Sequence, residues 1–272
     1  MKALEKLTTA NNENKFICVG LDPDIERIPA FLQSSSQPIL DFNKAIIDAT
    51  KDNAAAYKIN FAFYEKYGFE GMKILFQTVE YIPANVLIIG DAKRGDISNT
   101  ARMYAQSIFD FYKCDAVTVN PLMGQDSLEP FLKYEDKLVF ILALTSNPDA
   151  YDFEKLKLDD GCYLYQKIIE KVKKWNVNKN CGIVFGATKS DELKENMELI
   201  GSLPVLIPGI GTQSGNLKDV ICSFKTAGRK QFILNASRSL IYKSSEKDFA
   251  LKASEELVTL NSRVIELFGS KI

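Results

Sequence analysis

The chain contains no histidine at all. That absence removes Ser–His and Cys–His nucleophilic chemistry, together with every His-ligated zinc or iron site. Any proton transfer must come from Lys, Asp, Glu, Tyr or Cys. Paired cysteines are missing too: Cys18, Cys114, Cys162, Cys181 and Cys222 lie far apart, with no C-x-x-C spacing. An odd, scattered set reads as buried free thiols in a reducing compartment rather than a disulfide framework or a zinc site. The longest apolar runs, such as Leu138–Leu144, fall far short of the ~20 residues a membrane helix needs. The polar start, MKALEKLTTANNENK, has no signal-peptide core, so the expected location is the cytoplasm. Net charge is −1 over 272 residues, so no global field draws the protein to nucleic acid or membrane. An anion must be held by a local site.

No low-complexity linker, charge block or close repeat divides the chain, which points to one domain over residues 1–272. What recurs is a short apolar, β-branched run followed by a stretch of helical character. The strand-like runs are Phe16–Val19, Ala54–Ile59, Val86–Gly90, Ala116–Asn120, Leu138–Leu144, Gly182–Gly186, Pro204–Ile207 and Phe232–Asn235. They are apolar on both parities, as strands buried on both faces should be. Amphipathic stretches lie between them, among them Ile39–Asp52, Glu65–Val79, Asn99–Tyr112, Tyr163–Trp175 and Asp191–Ile200. Eight such alternations argue for a parallel sheet closed into a (β/α)8 TIM barrel, a fold of typically ~250 residues. A doubly wound open sheet is the alternative, but no G-x-G-x-x-G follows the first strand.

The strand exits are polar, and in a parallel barrel all of them open at one mouth. The densest is Asp91-Ala-Lys-Arg-Gly-Asp-Ile97. Asp91 and Lys93 share parity and can face the mouth, and Gly95 permits a turn that brings Asp96 back. As a bare spacing this is equally a solvated loop. Lys58, with Asn60 on its parity, closes the second strand, where a lone lysine can also reach out to solvent. Asp22 in Gly-Leu-Asp-Pro-Asp suits a turn cap or sugar hydroxyls. Pro208-Gly-Ile-Gly-Thr-Gln213 and Arg238 follow the seventh and eighth strands, where barrels often bind phosphate, so Gly209, Gly211 and Arg238 are candidate phosphate ligands. Thr145-Ser146-Asn147 could read a flat polar ring or be an ordinary turn.

The string Asp91-Ala-Lys-Arg-Gly-Asp-Ile-Ser-Asn-Thr100 resembles the D-x-K-x-x-D-I-x-x-T signature of orotidine 5′-phosphate decarboxylases. Gly20-Leu-Asp-Pro-Asp, Lys58-Ile-Asn-Phe-Ala-Phe-Tyr-Glu, Asn120-Pro-Leu-Met-Gly-Gln-Asp-Ser, Thr145-Ser-Asn, Pro208-Gly-Ile-Gly-Thr-Gln and Ser237-Arg agree in the same order. The collinear set looks most like the longer bacterial branch of the family. A longer stretch at about 149–179 departs from the pattern.

This resemblance implies a cofactor-free, metal-free decarboxylase. Lys58, Asp91, Lys93 and Asp96 would form the charged network at the scissile carboxylate, with Lys93 as proton donor. It implies a homodimer in which Asp96, Ile97 and Thr100 enter the partner's site. Asp22 and Lys58 would hold ribose hydroxyls, Ser146 the pyrimidine edge, and Gln213 and Arg238 the phosphate, helped by backbone N–H groups near Gly209 and Gly211. The rivals are a Mg²⁺-dependent sugar-phosphate decarboxylase or lyase, a Schiff-base aldolase and a non-catalytic phosphate-ligand-binding barrel. The magnesium enzyme needs acidic ligands where Lys58 and Asn120 stand, and the aldolase needs a lysine able to lose its proton beside two aspartates.

Overall fold

Each apolar run becomes a strand because its backbone can pair on both sides while its side chains are buried on both faces. A computed structural model describes residues 1–210 and 217–269. The strands are β1 (Ile17–Leu21), β2 (Ala56–Asn60), β3 (Leu87–Arg94), β4 (Ala116–Val119), β5 (Leu138–Leu144), β6 (Cys181–Phe185), β7 (Val205–Pro208) and β8 (Phe232–Ala236). Every strand runs parallel to the next and β8 pairs with β1, so the sheet is a closed barrel. This is the expected TIM barrel rather than an open sheet.

Seven of the eight strands have both ends within two residues of the sequence reading. β3 does not: it runs on to Arg94, past the expected end at Gly90. Its register with β4 shifts between Gly90 and Arg94. The ladder thus carries Asp91 and Lys93 on strand backbone, where side-chain direction is fixed. The helices follow the amphipathic stretches with two breaks. The expected Asn99–Tyr112 helix starts one residue earlier, at Ser98, and gives way after Gln106 to a wider turn over Ser107–Phe111. The expected Asp191–Ile200 helix divides at Asn196, whose amide donates to the Glu192 carbonyl and to the Tyr165 hydroxyl.

Two apolar layers result. The outer layer lies between strands and surrounding helices. The inner one fills the barrel with Cys18, Ala56, Leu87, Ile89, Ala116, Leu138, Phe140, Val184, Leu206 and Ile233. Helix α1 (Ala3–Asn12) joins the inner layer through Ala3, Leu7 and Ala10, one face of a helical turn pattern. It lies across the end of the barrel opposite the strand exits. Lys6 of α1 is fixed there by a 2.7 Å ion pair with Asp115. The polar N-terminus was legible only as lacking a signal core, yet it closes the barrel.

Two residues further along each strand, the inward positions change character. They are Gly20, Lys58, Asp91, Thr118, Leu142, Gly186, Pro208 and Asn235. Lys58, Asp91, Thr118 and Asn235 thus set polar groups from four strands directly on the apolar layer. All five cysteines are free, three of them buried. No helix among the described residues is long and apolar enough to cross a membrane.

Candidate active site

Asp91 is the centre of these polar groups and is almost fully buried. Its Oδ2 accepts from Lys58 Nζ at 2.7 Å and its Oδ1 from Lys93 Nζ at 2.6 Å. Lys58 also lies 3.8 Å from Asp22, whose other oxygen accepts from the Ser237 hydroxyl at 2.6 Å. The result is a chain of alternating sign, Asp22–Lys58–Asp91–Lys93, running from β1 to the mouth over β3. Burial opposes the ionised form of Asp91, but the Lys58 and Lys93 ammoniums override it and hold the carboxyl well below the usual carboxylate range. Burial likewise works against the charge on Lys58; Asp22 and Asp91 outweigh it and hold that ammonium above the usual lysine range. Lys93 differs from Lys58 in being half exposed, so its tip faces the open mouth.

Lys93 adopts φ +46°, a left-handed conformation that L-residues reach at a cost of roughly 1–3 kcal/mol. Two bonds hold it there. Its backbone N–H donates to Thr118 Oγ1 at 3.1 Å, and its ammonium is fixed on Asp91. The same Thr118 hydroxyl donates to Asp91 Oδ1 at 2.8 Å. Thr118 was missed by the sequence reading. Its signal was present, a lone hydroxyl at an inward position of an otherwise apolar β4.

Other expected residues lie nearby without joining the chain of charges. Asn60 spends its side-chain oxygen on the Ala62 N–H, capping the turn after β2. The turn at Gly95 does not bring Asp96 back to its own lysines. Asp96 accepts from the Ile97 N–H and forms no ion pair among the described residues. Ile97 is 51% exposed, and Thr100 is exposed as well. Arg94, on the opposite parity from Lys93, points away to Glu65 and to the rings of Phe61 and Tyr104.

Ser146 is exposed just beyond β5, and its turn is braced from three directions. Glu154 accepts from both the N–H and the hydroxyl of Thr145, at 2.7 and 2.9 Å. Thr188 donates to the Ser146 carbonyl. Gly186 is required where it stands, because a Cβ there would lie 2.7 Å from the Ser146 nitrogen. The longer 149–179 stretch thus has a structural role: it delivers Glu154, and an ion pair from Lys155 to Glu192 fastens it to the helix after β6. Glu154→Ala is expected to leave the Thr145 N–H without its acceptor and speed its amide exchange about tenfold. An unchanged exchange rate would show that Gly186 and Thr188 suffice.

Asp22, Gly209, Ile210, Asn235, Ser237, Arg238 and Ser239 line a cavity of about 180 Å³ at the exits of β1, β7 and β8. Arg238 is exposed at its rim. Gly211 and Gln213 lie outside the described residues. Larger hollows exist, including one of about 620 Å³ lined by Met197, Gly201 and Arg229, but none of their linings includes a member of the charge chain.

Fold and site together define a (β/α)8-barrel enzyme with a lysine–aspartate centre at its C-terminal mouth. Residues 15–253 match the model of the orotidine 5′-phosphate decarboxylase / HUMPS family. The chain is 46% identical over 259 residues to the orotidine 5′-phosphate decarboxylase of Dehalococcoides mccartyi strain BAV1, covering 94% of each. It is 44% identical over 262 residues to that of Flavobacterium johnsoniae, covering 95% of each. A solved structure of Leishmania donovani OMP decarboxylase superposes with a TM-score of 0.83 at 33% identity, covering 97% of this chain and 100% of that one. The chain belongs to the orotidine 5′-phosphate decarboxylase / HUMPS family.

Proposed function

We propose that the chain is a carboxy-lyase converting orotidine 5′-phosphate to uridine 5′-phosphate and CO₂, the last step in making the pyrimidine nucleotide, in the cytoplasm. The carrying observation is the half-exposed Lys93 ammonium fixed 2.6 Å from a buried, ionised Asp91. When the C6–carboxylate bond breaks, its electron pair stays on C6, with no adjacent carbonyl to delocalise it as an ordinary enolate. A preorganised ammonium opposite that carbon stabilises the developing charge without rearrangement. Lys93 then gives its proton to C6, forming the C–H bond of uridine 5′-phosphate, and is reprotonated from solvent. Asp91 holds the Lys93 ammonium in place through one oxygen, and Lys58 fixes Asp91 through the other. Enzymes lower barriers by roughly 8–23 kcal/mol, and a carbanion of this kind calls for the upper part of that range.

Arg238, with Gly209, Gly211 and Gln213, takes the phosphate, whose binding energy is realised away from the reacting carbon. Ser146 reads the pyrimidine edge, and Asp22 and Lys58 the ribose. No cofactor or metal enters this scheme. The test is ultraviolet absorbance of orotidine 5′-phosphate with purified protein in buffer containing a strong chelator. Loss of the orotate band with formation of uridine 5′-phosphate is expected. No change with folded protein overturns the reading in favour of a metal-dependent sugar-phosphate enzyme.

A homodimer completes the site in this reading, with Asp96, Ile97 and Thr100 reaching into the partner. The support is that Asp96 makes no ion pair with its own lysines among the described residues, while Ile97 beside it, Met103 on the next helix, and Leu122 and Met123 after β4 are exposed apolar residues. Mixing two inactive variants, Lys93→Ala and Asp96→Asn, then restores activity. Random exchange makes about half the dimers mixed, and each has one intact site, so about a quarter of wild-type turnover returns. Recovery of none would place Asp96 in its own subunit's site.

A further inference from the structure

Asn235 takes no part in the charge chain, although it occupies an inward position of β8 in the same layer. It is 7% exposed, and its Oδ1 is buried with no hydrogen-bond partner. Asparagine is disfavoured in strands, and the inward residue below it, Ile233, shows what packs well there. A buried amide left incomplete costs stability unless something else completes it. The surroundings are arranged around this amide. A Cβ on Gly20 would lie 2.7 Å from Ser237 Cβ and 3.2 Å from Asn235 Oδ1, so glycine leaves room for both side chains.

Asn235 lines the same cavity as Asp22, Ser237 and Arg238. One Asp22 oxygen is taken by Ser237, while Oδ1 is buried with no hydrogen bond, its nearest cation being Lys58 at 3.8 Å. Behind the wall, therefore, stands a carboxylate oxygen without a hydrogen-bond donor, beside an amide that presents N–H₂ or oxygen according to its last torsion. The dianion of a phosphate monoester has no proton to offer Asp22, and any phosphate is repelled by its negative charge. A sugar hydroxyl can donate to the carboxylate and accept from the amide.

We propose that Asn235 is a substrate-binding residue that, together with Asp22, grips a ribose hydroxyl of the nucleotide. This rests on the nucleotide reading above but is tested apart from turnover. Binding of uridine 5′-phosphate, ribose 5-phosphate and inorganic phosphate is measured by calorimetry on the full-length protein and on Asn235→Ala. The variant weakens the first two about tenfold, the loss expected for one hydrogen bond to a buried group, and leaves inorganic phosphate unchanged. Its ligand-free unfolding midpoint is unchanged or raised, because an incomplete amide has been removed. Equal weakening of inorganic phosphate, unchanged ribose 5-phosphate binding, or a lowered ligand-free midpoint each overturns the proposal. Should the alanine variant fold poorly, Asn235→Ser is read with the same three ligands and must show the same ribose-selective loss. Ribose 5-phosphate carries no base to decarboxylate, so a failure of the decarboxylase reading leaves this result separately legible.

Discussion

Lys93→Ala lowers kcat/KM for orotidine 5′-phosphate by about 10⁴-fold or more and leaves the fold intact. The magnitude combines two losses. General-acid proton delivery contributes roughly 10²–10⁴-fold, and a preorganised charge at the developing carbanion roughly 10²–10³-fold. The fold survives because the side chain is half exposed and its one ion pair is made to a carboxylate that retains Lys58. Uridine 5′-phosphate still binds, since the cavity at the exits of β1, β7 and β8 is untouched. Turnover near the wild-type value would remove Lys93 from the mechanism, whereas lost turnover with lost product binding would point to a collapsed site.

Asp91→Asn produces the second large effect, and it falls on stability as well as rate. The substitution leaves the enclosed Lys58 ammonium with Asp22 alone, at 3.8 Å. Breaking a buried pair by removing one partner costs about 3–5 kcal/mol, and the remaining aspartate places this case near about 3. For a protein of this size that lowers the unfolding midpoint by roughly 6–12 °C. Turnover falls in addition by about 10²–10³-fold, because Lys93 loses the group that fixes it. A midpoint within a degree of wild type would mean that the Lys58–Asp91 pair adds nothing to folding.

The pH dependence of this contribution follows from the two directions of shift. Asp91 titrates below its usual 3.8, so its stabilisation is present above about pH 4 and is lost as the medium is made more acid. Lys58 titrates above its usual 10.5, so its share is present below that value and is lost as pH rises further. Between these limits the network keeps its charges. Wild-type and Asp91→Asn unfolding curves therefore converge in strong acid and stay apart across the neutral range.

The barrel was legible because strands buried on both faces leave little but apolar residues, and eight such runs admit few architectures. Lys58, Asp91 and Lys93 were legible for the complementary reason, as ionisable residues on inward parity at the ends of those runs. The end of β3 was misplaced because apolarity stops at Gly90 while the hydrogen-bonded ladder continues through Asp91 and Lys93. Thr118 and Glu154 act through bonds to residues far away or across a turn, which periodicity does not report. Asn235 sits inside a run read as a strand, and its significance comes from an absent partner. The proposed role of Asp96 in a partner's site was not legible in this way, because one chain's pattern contains no information on a second subunit.

Helix α1 makes the barrel a cup rather than a tube. With its lower end stoppered and its bore packed by Phe140, Leu206 and Ile233, no continuous column of water can reach the charges from beneath. Coulomb attraction varies inversely with the local dielectric, so a wetted bore would weaken the hold of the lysines on Asp91. Field lines from Lys58 and Lys93 are instead crowded upward, toward the one opening through which a substrate can arrive. The electrical strength of the mouth thus depends on a helix at the far end of the strands, one that supplies none of the charges.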